Sequence, residues 1–188
     1  MTGTMTEPVR ILLVSGSTRS GSTNTAALRT VLSLTNRPSG PVRAVLYQGL
    51  SLLPAFNPDD DHEPLPSEVT KLREQIAAAG AVLFCTPEYA GSLPGSFKNL
   101  LDWTVGGGEM YGKPAAWINV APEGRGDAAQ AALTGVLGYV GATLIEPACR
   151  RIQVDRSAIG PDGLVVSPAF RPAATQVLQA ILSHLNNT

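Results

Sequence analysis

Ile11-Leu12-Leu13-Val14-Ser15-Gly16-Ser17-Thr18-Arg19-Ser20-Gly21-Ser22-Thr23-Asn24 is the stretch on which the reading of this chain turns. Ile11 to Val14 is a short apolar run that stops at Ser15-Gly16, the pattern of a buried strand ending in a polar loop. From about Thr23 the period changes to that of a helix. Ala27, Leu28, Val31, Leu32 and Leu34 mark its apolar side, and Ser22, Thr23 and Asn24 are available to cap its start. A strand that passes through a small-residue loop into a helix gathers free backbone N–H groups and the positive end of the helix dipole at one point. An anion is the natural occupant. Ser17, Ser22, Thr23 and Asn24 add short donors, and Arg19 adds one full positive charge suited to a compact terminal phosphate.

Two familiar phosphate motifs fail on spacing. The dinucleotide fingerprint GxGxxG needs glycine where Thr18 stands. Gly16 and Gly21 have the separation of a Walker A loop, but Ser22 occupies the place of its lysine. A serine-rich turn that merely caps a helix competes with a phosphate site at this point.

Outward from this loop the same alternation continues. Asn36 to Pro41 breaks the first helix, and Val42 to Leu46 reads as the second strand. Gln48 to Pro66 is a long loop with Pro54, Pro58, Pro64 and the run Asp59-Asp60-Asp61, read as a solvated charge run. Ser67 is expected to cap a helix with Val69, Leu72, Ile76 and Ala79 on one face, ended by Gly80. Ala81 to Cys85 is the third strand. Pro94 opens a short helix with Phe97, Leu100 and Leu101 inward, followed by a flexible Gly106-Gly107-Gly108. Ala115 to Val120 is the fourth strand, and Asp127 is expected to cap a helix carrying Leu133, Val136, Leu137 and Val140. Thr143 to Ile145 is a weak fifth strand. The last helix starts near Ser167 and buries Val177, Leu178, Ile181, Leu182 and Leu185. Apolar strands alternating with helices imply a parallel sheet covered on both faces, an open three-layer α/β sandwich of five strands. Ligands of such sheets bind outside the carboxyl ends of the strands, so the loops after the first, third and fourth strands should converge.

Composition narrows the function classes. The 188 residues are expected to form one domain, 1–188, with 1–8 flexible; 44% are hydrophobic and 15% charged. Fourteen basic and fifteen acidic side chains leave a net charge of −1, which argues against a nucleic-acid partner or a field-driven membrane association. No apolar run approaches the ~18 residues of a membrane span, and Met1 to Arg10 lacks the apolar region of a secretory signal, so the expected location is cytoplasmic. Cys85 and Cys149 form no CxxC, and both read as buried thiols; no metal is expected. His62 and His184 lie away from the strand-end loops, and GxSxG is absent, which removes Ser-His-Asp and Cys-His hydrolase chemistry.

The GSxRxxSxN pattern of Gly16, Ser17, Arg19, Ser22 and Asn24 resembles the NADPH-dependent FMN reductases of the flavodoxin-like superfamily. A second stretch is similar to the same family's PEYNGSxPGxxKNxxDW segment: Pro87-Glu88-Tyr89-Ala90-Gly91-Ser92-Leu93-Pro94-Gly95-Ser96-Phe97-Lys98-Asn99-Leu100-Leu101-Asp102-Trp103. Leu53-Pro54-Ala55-Phe56 resembles its LPLY-like segment. The resemblance implies a flavodoxin-like sheet of strand order 2-1-3-4-5 with FMN as cofactor. It implies that Ser15, Ser17, Arg19, Ser22, Thr23 and Asn24 hold the phosphate, and that Pro87, Glu88, Tyr89, Ala90 and Gly91 face the ring. Gly124 and Gly126, in the loop Ala121 to Gly126, would pass its other edge. Backbone donors near flavin N1 and O2 would raise the reduction potential. Ala90 departs from the family's asparagine. Lys98 and Asp102 are four apart and can pair on a helix, Trp103 packs or lies at a subunit interface, and Glu88 reads as a hydrogen-bonded loop carboxylate. The implied activity is hydride transfer from NADPH or NADH to FMN N5 and onward to a small acceptor such as a quinone, azo compound, chromate, ferric chelate or free flavin. No catalytic side chain is required, and a homodimer or homotetramer is expected. An FMN-binding electron carrier or redox-sensing module is the alternative.

Overall fold

The strands expected from short apolar runs form one parallel sheet. A computed structural model describes residues 8–35 and 40–187. In chain order the elements are β1 (Val9–Ser15), α1 (Thr23–Thr35), β2 (Val42–Leu46), α2 (Ser67–Ala77), β3 (Ala81–Cys85), α3 (Gly95–Asp102), β4 (Pro114–Asn119), α4 (Asp127–Tyr139), β5 (Thr143–Leu144), β6 (Arg150–Arg151) and α5 (Phe170–Asn186). β1 lies between β2 and β3, with Ile11 opposite both Ala44 and Ala81, and the sheet runs in the order 2-1-3-4-5. The expected helix break at 36–39 and the expected flexibility of 1–7 lie outside the described residues.

Each strand feeds both faces because successive side chains alternate. Ile11 and Leu13 pack with α1 and α5 in one layer, alongside Leu83, Ile118 and Phe170. Leu12 and Val14 pack with α2, α3 and α4 in the other, alongside Phe84, Phe97 and Leu133. All four β1 residues are fully buried, which is why the run shows no polar alternation.

A sixth strand was not legible in the sequence. β5 pairs with the start of β4, a 3₁₀ turn at Glu146–Ala148 swings out, and β6 returns to pair Arg150 with Ile118 and Arg151 with Asn119. The two short strands together cover the outer edge of β4. Two exposed arginines carry no strand periodicity, so only the pairing reveals them.

Several expected boundaries are corrected. Ser67 is the first residue of α2, which is preceded by Pro66 at the N-cap and has no side-chain cap. Gly80 does not end that helix; its N–H donates to the Arg10 carbonyl (2.8 Å) as the chain enters β3. Asp127 is the first residue of α4, with Gly126 at the N-cap. α5 begins at Phe170, after a turn in which the Phe170 N–H donates to the Ser167 carbonyl (3.1 Å).

Asp59 and Asp60 are exposed, as expected of a solvated charge run, whereas Asp61 folds in against the chain near the glycine triplet. Asp61 accepts from the Arg73 guanidinium (2.6 Å), which also donates to the Trp103 carbonyl and lies 3.7 Å from Glu109. A Cβ on Gly106 would lie 2.0 Å from Asp61 Oδ2, and one on Gly107 1.9 Å from Glu109 Oε1. The two carboxylates thus fold in over the glycines beside one guanidinium. Trp103 is buried in the core, edge-on to Phe56, and its Nε1 donates to the Pro54 carbonyl (2.9 Å). Asn99 accepts from Phe56 N–H and donates to the same Pro54 carbonyl, so α3 holds the proline-rich loop in place. Lys98 and Asp102 pair at 2.6 Å as their spacing implies.

Candidate functional site

The first loop is drawn against β3 before it reaches α1. Gly16 N–H donates to the Cys85 carbonyl (2.9 Å), and a Cβ on Gly16 would lie 2.2 Å from Thr86 Oγ1. Only glycine lets the two strand ends approach so closely. The loop's hydroxyls then brace its own backbone: Ser15 Oγ accepts from Ser17 N–H and Ser17 Oγ from Arg19 N–H. Ser22 Oγ accepts from Thr25 N–H (3.4 Å), so Ser22 is the N-cap that the sequence suggests. The N–H groups of Thr23 and Asn24 have no partner among the described residues, as the first turn of a helix requires unless a ligand supplies one. Asn24 is buried, and its Oδ1 accepts from the Cys85 thiol (3.3 Å). Burial pushes that thiol well above its usual pKa, so Cys85 is a packing group and not a thiolate nucleophile.

The second loop contains a two-residue hairpin. Tyr89 and Ser92 exchange backbone hydrogen bonds at 3.0 Å each, and both central residues have positive φ, Ala90 at 49° and Gly91 at 71°. This is the type I′ pattern, for which Asn-Gly is the preferred pair. The asparagine usual in the family therefore has a conformational reason at the position that Ala90 fills. Glu88 does not point a free carboxylate at the ring position. Its Oε2 accepts from the N–H groups of Ala128 (3.0 Å) and Ala129 (3.2 Å), capping α4 from a distant loop. The cap expected from Asp127 is thus supplied by Glu88.

The third loop is shaped by residues that sequence reasoning missed. Buried Asn119 accepts from Ala121 N–H (2.9 Å) and donates to the Gly126 carbonyl. A Cβ on Gly126 would lie 2.9 Å from Asn119 Oδ1, and Gly126 has φ 81°. The Arg151 guanidinium donates to the carbonyls of Ala121, Pro122 and Arg125 and pairs with Asp127. One arginine from β6 therefore clamps the whole turn. Neither Asn119 nor Arg151 belongs to a local motif; each acts only across the edge of β4.

The three loops meet in a cleft of about 630 Å³ over the carboxyl ends of β1, β3 and β4. Thr23 and Asn24 line it from the first loop, Thr86, Pro87 and Glu88 from the second, and Ala121, Arg125 and Gly126 from the third. Val154, Asp155 and Arg156 close a further wall. Ser15, Ser17 and Arg19 line a neighbouring hollow of about 260 Å³ on the other side of the first loop, together with Arg29 and Tyr47. Tyr89, Ala90, Gly91, Ser22 and Gly124 line neither hollow; Tyr89 is half exposed beside the cleft's second loop. The donor set at the cleft fits FMN: unpartnered N–H groups of Thr23 and Asn24 at a helix start for a phosphate, and the unpartnered Glu88 N–H of the second loop for a polar ring edge.

A parallel sheet of this order, with a helix-start anion loop beside its switch point, defines a flavodoxin-like nucleotide-binding protein. Residues 9–151 match the model of the NADPH-dependent FMN reductase family. The chain is 33% identical over 180 residues to an NAD(P)H-dependent FMN reductase of Pseudomonas aeruginosa, covering 94% of this chain and 95% of that one. It is 37% identical over 123 residues to a 2-hydroxy-1,4-benzoquinone reductase of Burkholderia sp, covering 63% and 67%. Among solved structures, FerB, a flavoenzyme NAD(P)H:acceptor oxidoreductase of Paracoccus denitrificans, superposes with a TM-score of 0.78 at 30% identity over 94% of this chain and 98% of that one. The chain belongs to the NADPH-dependent FMN reductase family.

Proposed function

We propose that this chain is an FMN-dependent oxidoreductase that takes reducing equivalents from NADPH or NADH and delivers them to a small acceptor, with quinones the leading class. The observation that carries the reading is the meeting of two backbone-donor loops at one cleft over β1, β3 and β4. FMN, held by these loops, would supply the redox chemistry between the nicotinamide and the acceptor.

The residues of the chain bind and orient. Thr23 and Asn24 offer backbone N–H groups to the phosphate at the positive end of α1, with Ser15, Ser17, Arg19 and Ser22 around the same loop. Pro87, Glu88, Tyr89, Ala90 and Gly91 hold the second loop against the ring, and Gly124 and Gly126 let the third loop pass its other edge. Glu88 ties the second loop to the first turn of α4, which follows the third loop. No side chain is assigned a proton transfer; rate enhancement comes from placing two flat rings in contact. A homodimer or homotetramer fits the nearly full exposure of Tyr139 and Tyr111. A cytoplasmic location fits two free cysteines and the absence, among the described residues, of a helix long and apolar enough to cross a membrane.

The test is direct. The purified chain should be yellow or turn so with added FMN, and the released chromophore should have the mass of FMN. Anaerobic NADPH or NADH should bleach it. A chain that refuses FMN in a titration, or whose flavin stays oxidised with both nucleotides, refutes the proposal.

A further inference from the structure

Five arginines surround the two hollows or stand on the cleft's edge: Arg19 and Arg29 at the smaller hollow, Arg125 and Arg156 at the larger cleft, and Arg151 beside it. Arg151 is engaged with three carbonyls and Asp127. Arg19 belongs to the first loop and lines the smaller hollow. Arg125 and Arg156 both line the larger cleft, and among the described residues neither guanidinium has an ion-pair or hydrogen-bond partner. They come from separate segments, Arg125 from the turn after β4 and Arg156 from the 3₁₀ turn Arg156–Ala158 that follows β6. The backbone beneath each is held in place. The Arg125 carbonyl accepts from Arg151 (2.8 Å), and the Val154 N–H donates to the Val120 carbonyl (3.0 Å) beside Asp155 and Arg156. Glu88 and Asp155 line the same cleft, Glu88 accepting from α4 N–H groups and Asp155 from Gln153 (3.4 Å), and neither carboxylate pairs with Arg125 or Arg156.

We propose that Arg125 and Arg156 read an anionic oxygen group on the molecule that stacks against the flavin, and that this group is the 2′-phosphate distinguishing NADPH from NADH. The inference rests on the FMN site proposed above, since it assigns the second occupant of the same cleft. An unpaired guanidinium is the donor best suited to a phosphate dianion, through two parallel N–H···O contacts. Arg156 stands past residue 151, where the match to the family model ends. An anionic acceptor, such as a hydroxyquinone in its deprotonated form, presents the same chemistry from a different source.

FMN affinity is measured first, by titration, for the wild type, Arg125→Ala, Arg156→Ala and Arg156→Lys. Calorimetric titration of each holoprotein with NADP⁺ and NAD⁺ then gives the ratio of the two dissociation constants. The expected result is a wild-type preference for NADP⁺ that shrinks by about tenfold or more in each alanine variant, with partial recovery in Arg156→Lys and loss at high salt. If the nucleotide ratio holds but kcat/KM for an anionic hydroxyquinone drops relative to a neutral quinone, the anion reading stands and the acceptor is its source. Unchanged discrimination in both assays overturns the proposal. So does a loss of FMN affinity in step with the nucleotide effect, because the guanidinium would then serve the cofactor's own phosphate. A wild type that takes up no FMN removes the site and this inference with it, which the first titration detects separately.

Discussion

Replacing Ala90 with asparagine should make the protein more stable and leave its fold unchanged. Ala90 sits at φ 49° in the first central position of a two-residue hairpin, with Gly91 at 71° behind it. A left-handed conformation costs an ordinary L-residue about 1 to 2 kcal/mol, and asparagine suffers least because its short amide satisfies the nearby backbone. Ala90 is exposed, so the substitution forfeits no packing. The expected gain is about 0.5 to 1 kcal/mol, or roughly 1 to 4 °C in melting temperature for a chain of this size. Ala90→Gly is the control. It relieves the same strain but adds about 0.5 to 1 kcal/mol of unfolded-state entropy, so it should melt near the wild type. Thermal unfolding of the flavin-free chain reads the turn alone, and an FMN titration reads the site. A turn effect predicts that Asn raises the midpoint and tightens FMN only modestly, whereas a direct amide contact predicts a large gain in affinity for Asn alone. A lower midpoint for Ala90→Asn would refute the conformational argument.

Three further outcomes follow from other contacts. Glu88→Ala leaves the Ala128 and Ala129 N–H groups uncapped and should lower stability by about 1 kcal/mol while weakening FMN, with Glu88→Gln recovering part of both; an unperturbed urea midpoint in the alanine variant would show that the cap contributes nothing. Tyr47 Oη is buried without a hydrogen-bond partner, so Tyr47→Phe should raise the urea midpoint by the equivalent of about 1 kcal/mol. Burial, reinforced by Glu68, raises the Tyr47 hydroxyl to about 12 in the fold. The folded protein then holds this proton more tightly than the unfolded chain, so its contribution is intact below pH 10 and is lost as pH rises from 10 to about 12, a limb the phenylalanine variant should lack. Arg19→Ala should weaken FMN roughly ten- to a hundredfold by removing a charge-assisted contact; an unchanged dissociation constant would assign Arg19 wholly to the smaller hollow.

The fold was legible wherever burial on both faces wrote itself into the chain. Ile11 to Val14 and Ala81 to Cys85 are runs whose strand limits differ from the observed ones by at most two residues, because a strand covered on both sides must be apolar throughout, and the edge strand Val42–Leu46 keeps its expected limits although Arg43 is exposed. Helix ends were less legible. Pro66 and Gly126 hold N-cap positions assigned by residue type to Ser67 and Asp127, since a cap is chosen by backbone geometry and by whatever partner is in reach. In the acidic run Asp59 and Asp60 are exposed as their composition suggests, but Asp61 is folded in because Arg73 comes to it from elsewhere in the chain.

Local residue order by itself determined the parallel α/β class and the loop that runs from β1 into α1, because strand burial, glycine freedom and helix capping act between near neighbours. Tertiary structure alone decided that Glu88 caps α4, that Arg151 clamps the turn after β4, and which arginines face the cleft unpaired. Those partners lie 24 to 41 residues apart in most cases, and nothing in the composition of either segment names the other. Their pairing is a property of the sheet order, which brings the loops together only once the strands have stacked.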